Sequence, residues 1–187
     1  SGHSNYVNSV AVDNNGNVYS GFWDDVVKKI SPSGSQIWTF SGHSSTVTSV
    51  AVDNNGNVYS GSWDKTVKKI SPSGSRIWTF SGHSDFVNSV AVDNNGNVYS
   101  GSNDETVKKI SPSGEEIWTF SGHSSIAYSV AVDDNGNVYS GHGYKVKKLS
   151  SSGEEIWTFS GHSNYVNSVA VDNNGNVYSG SEDKTVK

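Results

Sequence analysis

One stretch constrains this chain more than any other: Ser9-Val-Ala-Val-Asp-Asn-Asn-Gly-Asn-Val-Tyr-Ser-Gly21. It returns letter for letter at 49–61, 89–101 and 168–180, and with Asp134 in place of Asn at 129–141. Each copy reads as strand, turn, strand. Val10-Ala11-Val12 is a short apolar run, Asn15-Gly16 punctuates it, and Val18-Tyr19 resumes an extended pattern. Asn-Gly predicts a tight hairpin whose two central residues both take positive φ.

Counted from Ser-Gly-His, the units span 1–40, 41–80, 81–120, 121–159 and a partial 160–187. Strands are predicted near 6–13 and 18–23, then over Val26–Ile30 and Gln36–Phe40, with Ser31-Pro32-Ser33-Gly34 turning the chain between the last two. Helical periodicity is absent, and β-branched and aromatic residues fill the strands. A four-stranded unit near 40 residues, repeated with little change, predicts an all-β chain: a β-propeller of four full antiparallel blades plus a partial fifth, as one domain over 1–187. Blades stack face to face, which accounts for apolar runs without strict alternation. Identity this close exceeds what packing demands and points to a recently amplified or designed array.

The Gly-His pairs before the first strand (Gly2-His3, Gly42-His43, Gly82-His83, Gly122-His123, Gly161-His162), Ser20-Gly21 and Asp24 with their repeats carry a resemblance to WD40-type propellers, particularly recently amplified bacterial ones. The resemblance covers the whole chain. It implies a buried network of the loop histidine, second-strand serine and turn aspartate: His3, Ser20 and Asp24; His43, Ser60 and Asp64; His83, Ser100 and Asp104; His162, Ser179 and Asp183. The network's third-strand tryptophan is missing, with Ile30, Ile70, Ile110 and Leu149 read as standing in its place. Trp23-Asp24 and Trp63-Asp64 spell the family dipeptide but lie in the wrong turn. The fourth unit, Gly141-His142-Gly143-Tyr144-Lys145, has no aspartate, so His123 is expected to be less constrained.

A Ser/His/Asp set repeated without anything unique to one blade reads as structure rather than catalysis. Asp13-Asn14-Asn15-Gly16-Asn17 lacks the spacing and distal glutamate of a calcium loop, and the histidines lack zinc-ligand spacing, so no metal and no cofactor is expected. A net charge of −5 argues against nucleic acid and anionic membrane. Adjacent lysines such as Lys28-Lys29 point to opposite sheet faces, their stems covering apolar surface and their heads reaching water. No segment is long and apolar enough to span a membrane. Cysteine is absent, so the compartment stays open, with a soluble cytoplasmic protein the default. With no methionine even at position 1, the chain reads as a trimmed product or part of a longer one.

The units differ mainly after Gly-His and in the second turn, two segments at the same end of an antiparallel blade. Tyr6, Phe22, Trp23, Trp63, Phe86, Tyr144 and Tyr165 are expected to cluster there. The implied role is a non-catalytic scaffold holding a protein or peptide. The alternatives are a glycan-binding propeller, stacking sugars on Trp38, Trp78, Trp118 and Trp157, and an amplified or designed array with no selected ligand. The chain starts after a fourth strand and stops inside a third. The ring therefore closes either alone or, the favoured option, as a homodimer sharing one larger ring.

Overall fold

A computed structural model describes residues 5–187. The first sheet runs β1 (Val7–Val12), β2 (Val18–Phe22), β3 (Val27–Ile30) and β4 (Gln36–Phe40). The second runs β5 (Val47–Val52), β6 (Val58–Ser62), β7 (Val67–Ile70) and β8 (Arg76–Phe80), and the third β9 (Val87–Val92), β10 (Val98–Ser102), β11 (Val107–Ile110) and β12 (Glu116–Phe120). The fourth runs β13 (Ala127–Val132), β14 (Val138–His142), β15 (Lys145–Leu149) and β16 (Glu155–Phe159), and the fifth holds β17 (Val166–Val171) and β18 (Val177–Ser181). Strands pair antiparallel with their sequence neighbours throughout. These are the blades the repeat predicts, and the fold is all-β.

The hairpin differs from the predicted type. Gly16 alone takes a positive φ, 77°, while Asn15 does not. Four residues turn the chain, with Gly16 N–H donating to Asp13 O at 2.9 Å and Asp13 N–H to Asn17 O at 3.0 Å. Asp13 decides this. Its carboxylate accepts from the Asn15 and Asn17 backbone N–H groups, from Asn17 Nδ2 and from the Tyr19 hydroxyl, all at 2.8–2.9 Å. An Asx-type arrangement of this kind offers the chain a turn that needs only one left-handed residue.

Packing lies between blades rather than in one central core. Tyr19, Val27 and Phe40 of blade 1 bury against Val47, Val50, Val58 and Ile70 of blade 2, and the same set recurs at the next interfaces. A strict two-residue period would put Val47 and Val50 on opposite faces. An irregularity between Val47 and Ser49 brings both to one face, with Thr48 as the extra residue of a β-bulge. The Thr48 hydroxyl then donates to Val87 O of blade 3 at 2.6 Å, and Asn88 Nδ2 to Ala127 O of blade 4 at 3.2 Å. Backbones approach closely here: a Cβ on Gly61 would lie 2.7 Å from the Val87 side chain.

The arc is open between blade 5 and blade 1. Val10 is 63% exposed where Val50 is 6%, and Tyr178 is 48% exposed where Tyr59 is 0%. No helix among the described residues is long and apolar enough to cross a membrane.

Candidate functional site

The β2–β3 and β6–β7 turns are fastened to the loop before each first strand by backbone hydrogen bonds, Trp23 N–H to Tyr6 O at 3.2 Å and Trp63 N–H to Thr46 O at 3.0 Å. This brings the two variable segments together at one end of the blades. Tyr6 and Trp23 meet edge to face at 5.3 Å, Trp23 and Trp63 lie 6.1 Å apart across the blade boundary, and Trp63 stacks on Phe86 at 5.4 Å. All four are exposed. They make one aromatic row over blades 1–3. Tyr144 and Tyr165 meet edge to face at 5.4 Å over blades 4 and 5, joined by Tyr128 at 5.7 Å from Tyr165.

Phe22 does not join them. It is fully buried, with the Lys28 ammonium 5.7 Å from its ring centroid. Its position ends a strand whose every residue from Tyr19 onward is buried between blades, so the surface assignment for Phe22 is corrected. Tyr128 was missed because the bulge that points its position at the next blade, beside Tyr165, leaves no mark in residue spacing. The variation itself, Tyr where other repeats have Asn or Thr, was the available signal.

Beneath the row lies the histidine network. His43 Nδ1 is 2.8 Å from Asp64 Oδ2 and Nε2 is 2.8 Å from Ser60 Oγ. Ser44 N–H also donates to Asp64 Oδ2 at 3.1 Å, and the Thr66 hydroxyl to Asp64 Oδ1. Blade 3 (His83, Ser100, Asp104) and blade 5 (His162, Ser179, Asp183) repeat the geometry. Burial pushes the Asp64 carboxyl upward, yet the hydrogen bonds from His43 and Thr66 outweigh it and hold the group well below the usual carboxylate range. The same holds for Asp104. In blade 1, Ser20 is buried and Asp24 occupies the β2–β3 turn, while His3 lies outside the described residues.

The bond order Ser–His–Asp matches that of a hydrolytic triad, but Ser60 and Ser100 are fully buried, so neither Oγ can meet a substrate. Among the described residues no group of three or more His, Cys, Asp or Glu side chains is placed to hold a metal ion.

Ser60 pairs across the sheet with Lys68, next to the Val58–Ile70 pair, and Ile70 packs in the core between blades 1 and 2. Lys68 is 5% exposed, so its head does not reach water as the sequence suggests. It donates to Thr66 Oγ1 at 3.0 Å and lies 3.9 Å from Asp64. Its counterparts Lys108 and Lys147 instead pair with Glu116 and Glu155 on the fourth strand. Arg76 stands at that position in blade 2, so Lys68 has no fourth-strand carboxylate to pair with. The neighbouring Lys69 and Lys109 lie on the other face, over Tyr59 and Tyr99 at 5.3 Å.

The family profile described as "WD domain, G-beta repeat" matches residues 1–30, 34–70, 74–110 and 153–187. The turn without aspartate falls in the stretch between the last two matches. Among solved structures, the WD40 β-propeller domain of Doa1 superposes with a TM-score of 0.90 at 30% sequence identity. The match covers 99% of this chain and 64% of that one. Comparison with curated protein sequences finds no match. Propellers of the matched family are generally protein-interaction scaffolds, typically without catalysis of their own.

Proposed function

We infer, for a chain that belongs to the WD40 family of β-propellers, that its function is to hold a protein or peptide on the aromatic row Tyr6–Trp23–Trp63–Phe86. The observation that carries this is continuity: four exposed rings touch in sequence across three blades, on segments where otherwise near-identical repeats differ. Contiguous exposed aromatics supply large contact area at low entropy cost. Changing Tyr6, Trp23 and Trp63 together to Ser tests it. A partner identified with the wild type and lost by the variant, with unfolding temperature unchanged, supports the reading. Equal recovery overturns it.

The glycan alternative draws less support, because the Trp38, Trp78 and Trp118 indole N–H groups are already bonded to the next blade. For ring closure, a second copy suits the open faces. Blade 1 exposes Val7 and Val10, counterparts of Val47 and Val50, while blade 5 exposes Tyr178, counterpart of the Tyr19 that covers them. Two chains meeting head to tail twice would repeat the internal blade interface. A dimer mass by light scattering supports this; a monomer at all concentrations overturns it.

A further inference from the structure

The fourth blade lacks one residue in its β14–β15 turn, so His142-Gly143-Tyr144-Lys145 stands where blade 2 has Ser62-Trp63-Asp64-Lys65-Thr66. The carboxylate that meets the histidine in blades 2, 3 and 5 is gone, and so is the threonine that also held it, but the histidine and the serine after it remain. His123 keeps Nε2 on Ser140 Oγ at 3.1 Å, while its Nδ1, the atom that meets Asp64 in blade 2, has no partner. His142 is 1% exposed and stacks on His123 with ring centroids 4.1 Å apart. Neither of its nitrogens makes a hydrogen bond; the Ser140 carbonyl acts on the ring electrostatically without meeting bonding geometry.

Three buried imidazole nitrogens therefore lack partners in one place, which native interiors rarely tolerate without a reason. His142 lines an open cavity of about 270 Å³ together with Ser124, Gly143, Tyr144, Lys145 and Tyr165, and His123 lies directly behind it in the stack, so His123 Nδ1 opens to the cavity only when His142 turns aside. Ser124 is the counterpart of Ser44, whose backbone N–H donates to Asp64. Lys145 adds a positive charge to the wall.

We propose that this cavity binds a carboxylate from outside the blade, received by His123 Nδ1–H and the Ser124 N–H as Asp64 is received by His43 and Ser44. The template is internal: three blades of this same chain place a carboxylate oxygen 2.8 Å from the equivalent nitrogen. Lys145 and the Ser124 N–H favour an anion over a cation, and charge-assisted bonds to a carboxylate are the strong ones. His142, held by no hydrogen bond, rotates from the stack to donate as well. The inference goes beyond the aromatic-row reading and does not need it, since the row lies on blades 1–3.

The test follows the His123 and His142 ring nitrogens by NMR in the intact chain, during titration with acetate, with acetamide and with a short blocked peptide containing one aspartate. Saturable shifts with acetate and none with acetamide are expected. Peptide binding at least about tenfold tighter than acetate would assign the carboxylate to a protein partner, held also by the tyrosine walls; equal binding would assign it to a small acid. Replacing 142–145 with the blade 2 turn supplies the carboxylate internally and should abolish the shifts, while His142→Ser should retain the His123 response. Unmoved His123 nitrogens, or equal shifts with acetamide, would overturn the proposal whatever becomes of the aromatic row.

Discussion

The Trp38 indole Nε1–H donates to the Pro72 carbonyl at 3.0 Å, tying the outer strand of blade 1 to a turn of blade 2. The ring also rests on Gly74, whose Cβ, if present, would lie 3.0 Å from it. Trp78 repeats both contacts with Pro112 and Gly114. Trp78→Ala should therefore destabilise by about 2–3 kcal/mol, somewhat below the range for a fully buried aromatic. Trp157, 36% exposed, faces blade 5, where the chain has no counterpart of the Pro72–Gly74 turn, and Trp157→Ala should cost less than half as much in this chain. Denaturant unfolding of the two variants makes the comparison.

Gly61 and Gly180 occupy the same repeat position in opposite circumstances. A Cβ at Gly61 meets Val87 at 2.7 Å, whereas at Gly180 nothing lies within 4 Å. Gly61→Ala should cost about 1–3 kcal/mol through overpacking. Gly180→Ala should leave unfolding of the monomer unchanged, and lower the apparent mass if a second copy packs there. Calorimetry and light scattering read the two effects.

Acid should weaken the fold through Asp64 and Asp104. Their carboxyls are depressed relative to the unfolded chain, so their contribution is complete above about pH 4 and is lost as pH falls through the lower folded value. Asp64→Asn should be less stable than wild type at pH 7 and show a shallower loss below pH 4. A series of urea midpoints against pH would show it.

The fourth blade should respond in a higher window. Burial, with the charges of His142 and Lys147, pushes His123 down to about 3; burial, with Lys147 and Lys145, pushes His142 down to about 4, Glu155 opposing in both cases. The unfolded chain, with imidazoles near about 6.5, binds more protons between those limits, so stability falls as pH drops from about 6.5. His142→Ser should flatten the loss between neutrality and pH 4. Unfolding at matched ionic strength checks the slope.

Asp53 holds its hairpin by four hydrogen bonds, from Asn55 N–H, Asn57 N–H, Asn57 Nδ2 and the buried Tyr59 hydroxyl. Asp53→Ala should cost about 2–4 kcal/mol, because the Tyr59 hydroxyl then loses its partner. Double substitution with Tyr59→Phe should recover part of that loss, as a double-mutant cycle would measure.

Repeat length, turn residues and β-branched runs by themselves determined the blades and their strands to within a residue or two, because strand and turn propensities are local. The Ser–His–Asp network was also legible, through resemblance, since its members recur at fixed offsets. What only the tertiary structure decided depends on which face a side chain takes and what the next blade offers. The bulge at Thr48 sends Val47 and Val50 to one side, and the equivalent bulge in blade 4 sets Tyr128 beside Tyr165 of blade 5. That Ser60 pairs with Lys68, with Val58–Ile70 beside it, is set by register and not by spacing. The stacked His123 and His142 arise from a one-residue deletion whose consequence is a missing carboxylate. A sequence states the deletion; only packing shows that the donors stay behind.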